Sequence, residues 1–340
     1  MISKPHNLID WTLLPDRELL EMRVRDLHVS IAASVLEGRL ERLYAELAAK
    51  GIRFRPPCYL ADEWLCPDKA PIIGIPFCLA HPRLMELELK MMLEVEGGDD
   101  KSCMRLLRHE CGHALNYAYQ LYKRTRWREL FGSFSTHYGN SYSFQPYSRR
   151  YVIHLSDHYA QSHPDEDFAE TFAVWLNPQN NWRNKYRDWP VFKKLVYIEH
   201  LIPKIAAAKP LVKPDSNPPW SANRMTSTLA TYYERKRKSL GADFHGYYDS
   251  CLLRLFKPEK TDHADLPAAH LLREHRKLLI NQVTEWTEHR KFDINQLVGR
   301  LMLRCERLNL YGRQDDLIGL TALITAIAGN TFRPDRRHKR

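Results

Sequence analysis

The sequence predicts an α+β fold dominated by helices, with a small sheet and a helical C-terminal region. Three observations lead there. Apolar residues recur at helical spacing over long stretches, one β-branched run bracketed by prolines reads as a strand, and an H-E-x-x-H pattern lies inside a helical stretch. The chain has 340 residues, enough for one large domain or two ordinary ones. Its 44% hydrophobic and 27% charged residues describe a chain that folds around a core.

Residues 16–49 read as one helix. Leu19, Leu20, Val24, Leu27, Ile31, Val35, Leu40, Leu43 and Leu47 recur with its period, and Lys50-Gly51 closes it. After Pro56-Pro57 an extended segment leads to Ile72-Ile73-Gly74-Ile75-Pro76-Phe77. Its β-branched residues and flanking prolines suggest an edge strand, placed to pair with an extended peptide or else packed in the core. His81-Pro82 opens a helix over about 82–96, ended by Gly97-Gly98. Asp99 to Ser102 supply capping chemistry for the next helix, about 102–124. The stretch 132–150, rich in Ser, Gly, Tyr and Asn, reads as a long loop, with Tyr151–Leu155 as a short strand after it. A helix from Pro164 or Asp165 to about Leu176 is stopped by Asn177-Pro178.

The balance of charge is +10. Part of it lies in the terminal Arg333-Pro334-Asp335-Arg336-Arg337-His338-Lys339-Arg340 and another part in Arg235-Lys236-Arg237-Lys238. Without a nucleic-acid-binding motif beside either run, a solvated surface and a frayed tail explain the excess better than nucleic acid does. The N-terminus lacks a continuous apolar h-region and no run reaches the roughly 18 apolar residues of a membrane span. A soluble cytoplasmic protein without a membrane partner is expected. The 7 Cys are odd in number, scattered and free of C-x-x-C pairs, which fits reduced thiols better than a disulfide framework. Cys58, Cys66 and Cys78 with His81 are spaced too irregularly to favour a second metal site.

The chemistry concentrates in Arg108-His109-Glu110-Cys111-Gly112-His113-Ala114-Leu115. On a helix, positions four apart share a face, so His109 and His113 can present two imidazoles to one ion. Glu110 lies beside them, able to take a proton from an attacking water without being a ligand. Cys111 points to the buried side, and Gly112 lets another element pack closely. The pattern arises by chance in roughly one chain in twenty of this composition, so its surroundings must decide. A catalytic zinc site takes three protein ligands. His163-Pro164-Asp165-Glu166-Asp167-Phe168-Ala169-Glu170 offers Glu166 and Glu170 on one helical face, a ligand and a partner that orients a histidine. Asp165 and Asp167 are explained by the dipole of a helix N-terminus. His158 and His163 compete with Glu166 as third ligand, and Tyr147 and His154 are further neighbours.

HECGH followed by HPDEDFAETFAVWL resembles the bacterial family of "putative zinc-binding metallopeptidases", and more widely the gluzincin group. The stretch from Glu63-Trp64 to Pro82-Arg83-Leu84 also resembles that family, so the likeness spans about 55–200. The resemblance implies a zincin-like domain with one zinc per chain held by His109, His113 and Glu166, Glu110 as general base and Glu170 supporting a ligand. It also places Tyr159 where some gluzincins keep a tyrosine that stabilises the oxyanion. The expected organisation is a helical segment over 1–54, the zincin-like catalytic domain over 55–207, a proline-containing linker over 208–222, a helical region over 223–330 and a basic tail over 331–340. The expected activity is zinc-dependent hydrolysis of peptide bonds in a peptide or protein substrate. The alternative is a non-catalytic zinc-binding or nucleic-acid-associated protein on the same scaffold.

Overall fold

The computed structural model describes residues 10–92, 94–138, 145, 148–155, 158–214, 217–240, 249–287 and 289–331. The chain divides into two compact units, one within Met1–Leu89 and Val95–Tyr233, the other within Lys90–Glu94 and Glu234–Arg337. Helices dominate both. Among the described residues no helix is long and apolar enough to cross a membrane. Tyr147 and the basic tail beyond residue 331 lie outside the described residues.

The first unit begins with α1 (Asp16–Glu21) and α2 (Val35–Ala49). The expected single helix over 16–49 is therefore two, with a 3-10 turn at Val24–Leu27 between them. Local chemistry overrides the apolar period here. His28 and Ala33 adopt positive φ (50° and 61°), and the Ser34 hydroxyl accepts from the backbone N–H of Leu36, starting α2 afresh. The backbone N–H groups of Val24 and Arg25 donate to the carbonyls of Ser227 and Met225, partners remote in sequence.

The sheet is small. β1 (Cys58–Ala61) and β2 (Ile73–Pro76) run parallel, with Tyr59 opposite Gly74 and Leu60 opposite Ile75. The expected edge at Ile72–Phe77 is not open. Gly74 exchanges both backbone hydrogen bonds with Leu65 on the side away from β1, at 2.8 and 3.2 Å, and the whole of β2 is buried. The loop after β1 doubles back and fills that edge. Only glycine fits at 74, because a Cβ there would meet Leu65 Cδ2 at 2.6 Å and Ala61 Cβ at 2.9 Å.

Next come α3 (Pro82–Met92) and α4 (Asp100–Ala118). Asp99 caps α4 through its carboxylate, which accepts from Ser102 N–H at 3.0 Å. α4 stops short of the expected residue 124, since Gln120 turns into the left-handed region (φ 48°) and a new helix, α5 (Thr125–Phe131), follows. No strand forms at Tyr151–Leu155. The Ile153 N–H donates to the Tyr186 hydroxyl and the Leu155 N–H to the Glu170 carboxylate, so side chains satisfy the backbone that a ladder would have used. α6 (Pro164–Leu176) starts where expected, with His163 as its cap and proline in its first turn. α7 (Trp182–Lys185) and α8 (Phe192–Ile205) follow, and the chain leaves the first unit within α9 (Leu229–Leu240).

α4 and α6 pack face to face through their smallest residues. A Cβ on Gly112 would lie 2.8 Å from Ala169 Cα. On the other side of α4, Arg108 makes a two-pronged ion pair with Glu46 of α2 (2.7 and 2.6 Å), with both side chains buried. α8 is fastened to α6 by Lys194, whose ammonium reaches Asp167 at 2.5 Å and the carbonyl of Arg150 at 2.9 Å.

The second unit is a helical assembly of α10 (Asp249–Leu255), α11 (Ala268–Glu274), α12 (Arg276–Thr287), α13 (Lys291–Arg307) and α14 (Asp316–Thr331). Leu271, Leu272, Val283, Leu297, Val298, Leu301 and Ile324 form its core, with a two-residue antiparallel pairing of β3 (Leu266–Pro267) and β4 (Tyr311–Gly312) beside it.

Two stability measurements check this packing. Alanine favours a helix by about 1 kcal/mol over glycine, but parting two packed backbones costs about 1–3 kcal/mol, so Gly112→Ala is expected to destabilise by about 1 kcal/mol. An unchanged or later urea midpoint would show that α4 and α6 do not touch at this point. Arg108→Met strands the Glu46 carboxylate and is expected to cost about 3–5 kcal/mol, most of it recovered when Glu46→Leu is added. A single replacement as stable as wild type in the same titration would remove the buried pair from the account.

Candidate metal centre

α4 brings the two histidines together by its pitch. His109 and His113 are one turn apart, with Nε2 atoms 3.1 Å from each other. α6 crosses opposite and directs Glu166 at the gap. Glu166 Oε2 is 3.1 Å from His109 Nε2 and 3.1 Å from His113 Nε2. Three donor atoms at the corners of such a triangle suit a single ion at zinc's bond lengths of about 2.0–2.2 Å. All three side chains are buried, and among the described residues they form the group of His, Cys, Asp and Glu able to hold a metal. Cys58, Cys66 and Cys78 join no such group there.

The far side of each imidazole shows what the near side offers. His109 Nδ1 meets Glu170 Oε1 at 2.7 Å, and His113 Nδ1 meets Asp165 Oδ2 at 3.0 Å. Carboxylates accept, so each Nδ1 carries the hydrogen and each Nε2 turns a lone pair toward the shared gap. Two lone pairs and a carboxylate oxygen at mutual distances of 3.1 Å repel one another unless a cation or protons lie between them. This donor set fits zinc.

The same electrostatics govern protons. Burial alone would strip charge from His109, but the hydrogen-bonded carboxylates of Glu166 and Glu170 outweigh it and raise the imidazole to about 9. For His113, burial is likewise overcome by Asp165 and Glu166, which lift it well above its ordinary value. Burial pushes Glu166 upward, yet His113 and His109 hold it well below the usual carboxylate range. The carboxylates that draw a proton to these imidazoles also favour a cation held between them.

Each supporting carboxylate is itself held. Glu170 Oε2 accepts from the Leu155 N–H at 2.8 Å. Asp165 accepts from Asn116 Nδ2 at 2.6 Å and from the Tyr117 hydroxyl at 2.5 Å. Asp165 is thus more than an acid favoured by a helix dipole: it is fully buried and orients His113. Asp167 also has a specific partner, Lys194. Sequence reasoning missed Asp165, Asn116 and Tyr117. A signal was present, since Asn116 and Tyr117 stand three and four residues after His113, on the same helical face.

Glu110 is 2% exposed, and its Oε2 is buried without a hydrogen-bond donor among the described residues. Burial raises its pKa, while the charges of His109 and His113 oppose the rise. A buried carboxylate oxygen without a donor is uncommon and calls for a specific explanation. Tyr159 is buried, its ring centroid 5.7 Å from that of His109. His163 does not join the triangle, because Nδ1 accepts from the Asp165 N–H at 3.1 Å and Nε2 lies 2.8 Å from the Thr136 carbonyl. His154 Nε2 donates to the Arg105 carbonyl at 3.0 Å. A further residue absent from the sequence-based set, Tyr138, places its hydroxyl 3.2 Å from Glu166 Oε1.

Residues 100–185 match the family described as "Putative zinc-binding metallo-peptidase". The family match begins at the start of α4 and ends after α6, so it contains both helices and the loops between them. It is shorter than the expected likeness over 55–200 and leaves the sheet and the second unit outside. No curated protein and no solved structure matches the chain.

The hydrogen bond from His113 to Asp165 leads to a measurable expectation. Asp165→Asn keeps the shape but removes the charge that fixes the imidazole, and zinc affinity should fall roughly 10- to 100-fold with the fold intact. Competition with a chromophoric chelator reads this directly, and an unchanged affinity would detach Asp165 from the site.

Proposed function

We propose that the protein is a zinc-dependent peptidase of the gluzincin arrangement, acting on a peptide or protein substrate. One observation carries the reading: His109 Nε2, His113 Nε2 and Glu166 Oε2 converge at 3.1 Å, with the unpartnered Glu110 carboxylate oxygen beside them. The family match over 100–185 supports it.

His109, His113 and Glu166 would hold one zinc per chain. When bound, zinc supplies a Lewis acid that makes water acidic enough to ionise near neutral pH and polarises the scissile carbonyl. Glu110 takes the proton of the attacking water and passes it to the leaving amine. Glu170 and Asp165 keep the imidazoles in the required tautomer. Tyr159, packed beside His109, supplies a phenol donor for the negative charge that develops on the carbonyl oxygen.

Glu110→Gln separates chemistry from binding. The variant should retain its zinc by mass spectrometry, while peptide hydrolysis falls by roughly 10²- to 10⁴-fold. Undiminished hydrolysis would remove Glu110 from the mechanism. A wild-type protein that holds no zinc after reconstitution would remove the metal.

A further inference from the structure

The two oxygens of Glu166 have different surroundings. Oε2 faces both imidazoles at 3.1 Å. Oε1 accepts a hydrogen bond from the Tyr138 hydroxyl at 3.2 Å. A free carboxylate can grip a cation with one oxygen or with two, and the choice sets how many positions remain for water and substrate. We propose that Tyr138 is a positioning residue, an inference that rests on the reading of Glu166 as a zinc ligand. Its hydroxyl engages Oε1, so that the carboxylate meets the metal through Oε2 alone.

The placement of Tyr138 is built by the residues around it. Its ring lies on the His163 imidazole, with centroids 3.6 Å apart and planes 17° from parallel. His163 is a fixed platform. Its Nδ1 accepts from the Asp165 N–H, which leaves the hydrogen on Nε2 to donate to the Thr136 carbonyl at 2.8 Å. Thr136 closes a turn on Ser133 through both its backbone N–H (3.1 Å) and its hydroxyl (2.7 Å). The imidazole therefore ties down the chain two residues before Tyr138 and also carries the Tyr138 ring. The hydroxyl at the end of that ring reaches one oxygen of the residue that follows Asp165. A tyrosine buried only for its apolar ring would need neither the aligned stack nor the carboxylate partner.

The chemical consequence is an open coordination position. A catalytic zinc site keeps three protein ligands and leaves the fourth place for water. A carboxylate that swung in with both oxygens would add a fifth donor and crowd that place. The hydrogen bond to Oε1 opposes the swing and spreads the charge of the carboxylate, leaving the metal a stronger Lewis acid.

Tyr138→Phe removes the hydroxyl and keeps the stacking ring. Cobalt(II) in place of zinc reports coordination number through its visible absorption, strong for four ligands and weak for five. The full-length variant, loaded with one equivalent of cobalt, is expected to show weaker visible bands than the wild type. Its zinc affinity should rise, because the carboxylate then grips with both oxygens and no donor draws on its charge. Tyr138→Ala, which loses the ring as well, should reproduce the spectral change, because the hydroxyl is its cause. Identical cobalt spectra and zinc affinities for wild type and Tyr138→Phe would overturn the role of Tyr138 while leaving the metal site standing. A wild type that takes up no cobalt would overturn both.

Discussion

The contact between Gly112 and Ala169 sets the geometry on which the site depends. Glutamate is a short reach from its own helix, so Glu166 meets His109 and His113 only if α4 and α6 approach as closely as backbones can. The missing side chain at 112 and the methyl at 169 permit that approach. Glu170 then falls within hydrogen-bond range of His109, Asp165 of His113, and Asn116 and Tyr117 of Asp165. The surrounding elements hold these two helices in place. Arg108 with Glu46 braces α4 from α2, and Lys194 with Asp167 braces α6 from α8.

Such an interface conceals an unusual amount of charge. Glu110, Asp165, Glu166 and Glu170 are each 2% exposed or less. Carboxylates are expensive to remove from water unless they are paired and hydrogen-bonded. Three of the four are satisfied by imidazoles, an amide, phenols or a backbone N–H. Glu110 retains an oxygen without a donor among the described residues. The concentration of negative charge and its unequal satisfaction mark this interface as a candidate cation site.

Periodicity made much of this visible in advance. His109 and His113, like Glu166 and Glu170, are four apart within stretches whose apolar neighbours already mark helices, so the faces they share follow from helical pitch alone. Asp165 was hidden because the first turn of a helix attracts acids for a general electrostatic reason, and a specific partner leaves no additional mark. Asn116 and Tyr117 share the face of His113, but no local pattern tells that their partner is a carboxylate on another helix. Tyr138 lies in a loop, where no period relates a residue to its neighbours in space. The strand expected at Tyr151–Leu155 failed because the partners of its backbone are the side chains of Glu170 and Tyr186, which the local pattern cannot contain. The filled edge of β2 has the same cause: Leu65 returns to Gly74 across a loop.

The first turn of α6 places three acids in succession, and each has a different task. Asp165 turns to His113, Glu166 to the convergence of the two imidazoles, and Asp167 to Lys194. Successive side chains on a helix diverge by about 100°, since 3.6 residues make a turn. The three directions are therefore fixed relative to one another by the backbone and cannot be tuned separately. Inserting or deleting one residue at the start of α6 would rotate all three assignments at once, sending the metal-facing acid toward a lysine or an imidazole's outer nitrogen. The chain there tolerates exchange of letters far better than a change in their count, and His163 with Pro164, which set where the helix begins, act as its origin of numbering.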